Sequence, residues 1–75
     1  MKLSNLSLGK SARVISLSFS PKKLKRLEDL GLVENAIVKV VRFSPLNDLV
    51  LIKLRNFYLA LRLLDASNII VREYE

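Results

Sequence analysis

Hydrophobic and polar positions alternate along residues 12–19, which read ARVISLSF. Arg13, Ile15, Leu17 and Phe19 share one parity, and Val14, Ser16 and Ser18 share the other. A period of two carrying an Ile-Leu-Phe stripe predicts a half-buried strand. Gly9 with Lys10 and Ser11 reads as the turn before it. The period then changes. Ser20 can cap a helix, and Pro21 fits the first helical position because its missing N–H has no partner there anyway. Leu24, Leu27 and Leu30 follow at spacing three as one apolar stripe. Gly31 supplies the left-handed residue of a Schellman end and lets Leu32 pack back on Leu27. The predicted helix covers residues 21–30 and is too short to be stable alone, so it must dock by its leucines.

Four more apolar segments follow, over residues 36–43, 49–55, 57–62 and 68–73. Val38, Val40, Val41, Val50 and Ile52 give the first two β-branched character. Asn47-Asp48, after Pro45, joins the first pair. A single Asn56 separates the next pair, which predicts a tight hairpin. Residues 63–67 form a short linker, read as one turn of 3₁₀ helix. Five short strands and one helix in this length predict a small closed or nearly closed barrel. Asn35, Asn47 and Asn56 each fall at a break between segments. Asn is the residue besides Gly that best tolerates positive φ. With only two Gly in the chain, two of these three asparagines are expected to be left-handed.

Composition narrows the function. At 75 residues the chain is one domain, 1–75, with a thin core. It contains no Cys and no His, which excludes disulfides, zinc knuckles, iron–sulfur clusters and every His-dependent nucleophilic triad. The 13 Lys+Arg against 7 Asp+Glu leave a net charge of +6. That balance permits nucleic acid, an anionic membrane surface or an acidic protein as partner and selects none of them. The longest apolar run, residues 57–61, is far short of the ~20 residues needed to span a bilayer. No apolar signal segment is visible over residues 1–10, so a soluble cytoplasmic protein is the expectation.

Several segments together resemble a known family, ferrous iron transport protein A (FeoA). Arg26-Leu27-Glu28-Asp29-Leu30-Gly31-Leu32-Val33 is similar to its RxLxxLGL helix-to-strand element. Val38-Lys39-Val40-Val41 with Pro45 and Asp48 resembles its VxVV…PxxD segment, and Leu59-Ala60-Leu61-Arg62 its LALR strand. Ala66, Ile69 and Val71 match the closing A..I.V, and Leu3, Leu6, Gly9 and Val14 the opening L..L..G....V. The resemblance spans essentially the whole chain. It departs where Asn35, Asn47 and Asn56 stand at family glycine positions, and where Leu49 replaces a frequent Pro. The resemblance implies an SH3-like β-barrel of five to six strands with a helix inserted early, a fold shared with the C-terminal domain of iron-dependent repressors. It also implies a non-catalytic cytoplasmic accessory protein of ferrous iron uptake whose partner is the permease FeoB with its GTP-binding domain. A stand-alone iron-sensing domain and a small nucleic-acid-binding barrel are the alternatives.

The sharpest local chemistry is the basic run Lys22, Lys23, Lys25 and Arg26 in the first half of the helix, with Glu28 and Asp29 in its last turn. That order opposes the helix dipole at about 0.3–1 kcal/mol per exposed charge. Pairing at spacings of three and four offsets part of this. The run is either a solvated face or a docking face for an acidic partner surface. Nucleic acid is not expected, because few aromatics are free to stack. For metal, Asp48 and the tail pair Glu73 and Glu75 are the oxygen candidates, but turn aspartates and acidic tails are common without any ion. No metal or cofactor is therefore assigned. Neither paired carboxylates nor a glycine-rich phosphate loop supports catalysis. Arg62, two residues after the small Ala60, either frames a recess for a carboxylate or packs and pairs locally. Residues 49–52 and 57–61 are apolar on both parities, so part of that surface must be covered by the helix, the termini, a second copy or a partner.

Overall fold

The computed structural model describes residues 1–74. Five strands form one antiparallel sheet in the order β4-β3-β2-β1-β5, with β1 Ser11–Leu17, β2 Ile37–Phe43, β3 Leu49–Leu54, β4 Phe57–Arg62 and β5 Ile69–Tyr74. Helix α1, Pro21–Asp29, is inserted between β1 and β2, and the single-turn helix α2, Leu63–Ala66, carries the chain from edge strand β4 to edge strand β5. The sheet coils around Val14, Val38, Val40, Val50, Ile52 and Val71, all buried. Each fully buried aliphatic side chain contributes about 1.5–3 kcal/mol. The predicted barrel and its strand count are thus present. The linker at 63–67 is α-helical rather than 3₁₀. A 3₁₀ turn at Leu3–Asn5, which the periodicity did not predict, inserts Leu3 and Leu6 into the core beside α2 and β5.

The first strand corrects the parity expected of it. Ala12 and Val14 are the buried residues, whereas Ile15 is 41% exposed. The register against β5 shifts between Val14 and Ser16, so Ile15 is the extra residue of a β-bulge. Beyond the bulge the parity inverts, and Leu17 and Phe19 pack against the core as the stripe predicts. Strand β2 repeats the device. Val38 and Val40 are buried, the register against β3 shifts between Val40 and Arg42, and Phe43 then turns inward. The two bulges stand on adjacent strands, where they add the local bend that wraps a short sheet around one core.

The turns follow from the same economy of glycine. Asn35 and Asn47 have φ of 73° and 59°. In the third turn the left-handed residue is Arg55, φ 57°, not Asn56. Leu54 pairs with Phe57, so Arg55 and Asn56 are the two loop residues, with positive φ at the first alone, as in a type II′ hairpin.

Helix α1 matches its local signals. The Lys23 N–H donates to Ser20 Oγ at 3.3 Å, which makes Ser20 the cap, and Pro21 opens the helix. At the other end the Leu32 N–H reaches the Leu27 carbonyl at 2.9 Å and the Gly31 N–H the Glu28 carbonyl at 2.9 Å, the two bonds of a Schellman motif. Gly31 holds φ 89°. Docking differs from expectation. Leu27 and Leu32 are buried, Leu24 is half-buried, and Leu30 is 39% exposed, because the helix ends at Leu30 and its anchor passes to the residue after Gly31.

Candidate protein-docking surface

The basic run on α1 divides once its neighbours are in place. Lys23 turns toward α2, where its Nζ lies 2.7 Å from Asp65 Oδ1. The same ammonium sits 5.4 Å from the centroid of the Phe19 ring. Lys23 therefore straps the helix to the barrel and does not belong to an open basic face. Lys25 pairs with Asp29 at 3.1 Å, one turn along the helix, with both side chains well exposed. Lys22 and Arg26 stand one turn apart on the outer side of α1 and form no ion pair among the described residues. Lys22 is nearly two turns from Glu28 and Asp29, beyond their reach. The open cationic part of the helix is thus Lys22 and Arg26.

On the opposite flank of α1, where Leu24 and Glu28 stand about 200° round the helix from Lys22 and Arg26, lies an apolar cleft between the helix and the segment after it. It is lined by Leu17, Leu24, Leu32 and Val33 and rimmed by Glu28 and Glu34. Val33 remains exposed at its edge. A partner surface that offers acids to Lys22 and Arg26 meets the outer flank of α1, away from this cleft.

Arg62 lies at the end of β4, opposite Leu49 in the register. It is exposed and has no ion pair among the described residues, so neither local acid pairing nor burial explains it. Ala60, opposite Leu51, lines a shallow apolar recess with Phe43, Pro45, Leu49 and Leu51, and Arg42 stands at its rim. Nothing among the described residues covers this recess, and it is where the two-sided apolar pattern of residues 49–52 comes to the surface.

The remaining motif residues are structural. Leu27, Gly31 and Leu32 end and anchor α1, and Leu61 lies in the core. Asp48 belongs to the β2–β3 turn after Pro45. Its Oδ1 accepts the Ser44 hydroxyl at 2.7 Å, while Ser44 Oγ accepts the N–H groups of Asp48 and Leu49 at 3.1 and 3.0 Å. The Asp48 carbonyl then receives the Leu63 N–H at 2.9 Å, which ties this turn to the start of α2. Ser44 and Asp65 are the two polar residues that the sequence pattern did not single out. The serine between Phe43 and Pro45, four residues before an acid, was the available signal for the first.

The donor set does not fit a transition-metal site. The chain has no His and no Cys, and no group of three acids converges among the described residues. Asp48 is engaged by Ser44, and Glu73 stands 4.0 Å from Lys10. Glu75 lies outside the described residues.

Five antiparallel strands coiled around one core, with a helix inserted after the first, define a small β-barrel domain. The FeoA domain model matches residues 1–73, and the chain belongs to the FeoA family, the proteins A of ferrous iron transport. The chain is 40% identical to the FeoA protein of Chlorobium tepidum, covering 100% of this chain and 71% of that one at a TM-score of 0.94. Against iron(II) transport protein A of Clostridium thermocellum the identity is 33%, over 97% of this chain and 45% of that one, with a TM-score of 0.90. FeoA of Stenotrophomonas maltophilia, complexed with zinc and described as a prokaryotic SH3 domain protein, is 29% identical over 96% of this chain and 89% of its own, with a TM-score of 0.77. The expected SH3-like fold is thereby shown. Comparison with curated protein sequences gives no match. No helix among the described residues is long and apolar enough to cross a membrane.

Proposed function

We propose that this protein is a cytoplasmic accessory module that docks on the cytoplasmic part of a FeoB-type ferrous iron permease. Family membership supports the setting, as does the description of the Stenotrophomonas maltophilia relative as a candidate activating factor of ferrous iron transport. The observation that carries the docking surface is the pair Lys22 and Arg26. Both cations stand in an exposed helix whose other two cations already have acids. They gain most from an acidic partner, chiefly in the rate and orientation of encounter. The cleft of Leu17, Leu24, Leu32 and Val33 lies on the opposite flank of α1 with Glu28 and Glu34 at its rim, and is not part of this contact. Arg62 and the recess at Leu49, Leu51 and Ala60 are a separate surface, open to a second copy of the chain or to another part of the partner.

A pull-down against the cytoplasmic part of the cognate permease tests this with the combined variant Lys22→Gln, Arg26→Gln. Lys23 is left alone because it holds the helix in place. The expected result is lost binding at an unchanged melting temperature. Undiminished binding removes α1 as the docking face, and absence of binding by the unaltered protein removes the permease.

A further inference from the structure

We infer that the outer face of the sheet is a docking surface for an anionic lipid bilayer. The strand register places six cations on outward positions, Arg13, Lys39, Arg42, Lys53, Arg62 and Arg72, and Arg55 stands exposed at the β3–β4 hairpin tip as a seventh. The one strand acid among the described residues, Glu73, is exposed at the end of β5 on the parity of Ala12 and lies 4.0 Å from Lys10, and none of the seven forms an ion pair among the described residues. They come from all five strands and from the hairpin tip, so no run of basic residues announces them. Two like-charged pairs stand directly opposite each other, Arg13 with Arg72 and Lys39 with Lys53. Directly opposed like charges destabilise a sheet, and an anionic surface laid across them removes that repulsion.

The rest of the face selects the kind of anion. One cross-strand row runs Tyr58, Lys53, Lys39, Ser11, Tyr74 from edge to edge. Its tyrosines are 57% and 50% exposed and lie four strand spacings apart, ~19 Å along the sheet. They cannot form the contiguous stacking platform that a nucleic-acid strand uses. Arg13 already covers the Tyr74 ring at 5.9 Å. Ile15, Ile37 and Ile70, each about two-fifths exposed, are interleaved with the cations. Guanidinium and ammonium groups matched to phosphodiesters, with amphipathic tyrosines and short aliphatic side chains at the level of the headgroups, make an interfacial surface. The sheet is convex because it wraps its own core, so it meets a planar bilayer around its three inner strands, at the central cations Lys53, Lys39 and Arg13, with Arg72 beside Arg13 on edge strand β5. This inference does not rest on the permease, because the test contains none.

The experiment is co-sedimentation of the whole chain with vesicles of equal parts phosphatidylcholine and phosphatidylglycerol at low salt. Binding is expected there and not on pure phosphatidylcholine. Each of these four cations changed to Gln is expected to weaken it about fivefold, so that R13Q/K39Q/K53Q/R72Q no longer sediments. That variant loses both repulsive pairs and is expected to melt no lower than the unaltered protein. Should it fail to fold, K39Q/R72Q breaks each pair once and carries the test. K22Q/R26Q is expected to sediment normally, and its loss of binding overturns the assignment to the sheet. Undiminished sedimentation of the sheet variants overturns the inference. Tighter binding to oligouridylate or to polyglutamate than to the vesicles overturns it in favour of those polyanions. Release by inorganic phosphate at the headgroup concentration reduces the face to a free-anion site and overturns it as well.

Discussion

The protein carries two sets of cations, and they are organised oppositely. The set on α1 is a run in sequence. Its members come with acids nearby, so Lys23 and Lys25 are satisfied by Asp65 and Asp29 and only Lys22 and Arg26 stay open. The set on the sheet is scattered through the sequence from Arg13 to Arg72, gathered by strand register, and unpaired. A charge run in sequence is thus a poor guide to open charge, because an acid one turn along the helix closes Lys25 and an acid brought up by the fold closes Lys23. Charge that is assembled by folding is compensated only if selection has put an acid at the matching register position. Here the one strand acid among the described residues, Glu73, stands opposite Ala12 and closes none of them.

The comparison requires that α1 be held by packing rather than by its charges. Leu32→Ala breaks that hold and has the largest expected effect. Leu32 is fully buried and anchors the helix together with Leu27, so its truncation is expected to cost about 2–5 kcal/mol, read by urea unfolding. A loss near that of a surface substitution would mean that charge pairing carries the helix. Arg55→Gly comes next. Arg55 belongs to the sheet set but occupies φ 57°, where a side chain costs about 1–2 kcal/mol and glycine almost nothing. After the extra chain entropy of glycine, a gain of about 0.5–1 kcal/mol is expected, visible as a raised melting temperature. If the sheet face binds anions, the same variant binds them more weakly, which separates stability from function at one residue.

Much of the first region was legible because its signals are local. Ser20, Pro21 and Gly31 act within one turn of themselves, and cap, first turn and Schellman end all form as predicted. Asn35 and Asn47 are left-handed for the reason read from the shortage of glycine. The second region was hidden because it depends on register. In β1 the alternation pointed to Arg13, Ile15, Leu17 and Phe19 as one face, and a bulge at Ile15 divides that set between outside and inside. Bulges leave no mark in a single short strand, so which cations share the outer face could not be read without strand pairing. Arg55 shows the same limit. The turn was located correctly, but the left-handed position fell one residue earlier than the asparagine.

The strap between Lys23 and Asp65 is the one place where an α1 cation acts across elements. Its side chains are 39% and 21% exposed, which places the pair between surface and buried. A double-mutant cycle of Lys23→Gln and Asp65→Asn is expected to give a coupling of about 0.5–1 kcal/mol. Zero coupling would return Lys23 to an open basic face and weaken the contrast between the two regions. Lys53→Glu probes the other side. It converts the opposed pair with Lys39 into an attractive one, and a gain of about 0.2–1 kcal/mol is expected at low salt. The gain should shrink at high salt as the Debye length falls to about 3 Å. A salt-independent change would show that packing of the lysine stems, rather than repulsion, governs that row.

The smallest effect tests whether a local acid is enough to close a cation. Lys25 and Asp29 are one turn apart and well exposed, at 3.1 Å. The lysine precedes the acid, which is the weaker order for an ion pair along a helix, and Asp29 sits in the last turn, where the dipole disfavours an acid. Their coupling in a cycle of Lys25→Gln and Asp29→Asn is therefore expected to be about 0.2–0.5 kcal/mol at most, read from melting at low salt. Yet the pair removes one charge of each sign from the partner's view. Single Lys25→Gln is expected to leave permease binding nearly unchanged, whereas single Asp29→Asn, which frees Lys25 beside Lys22 and Arg26, is expected to strengthen it. Were Lys25→Gln to weaken binding as much as Lys22→Gln, the intrahelical pair would be open in solution, and the run read from sequence would be the working unit after all.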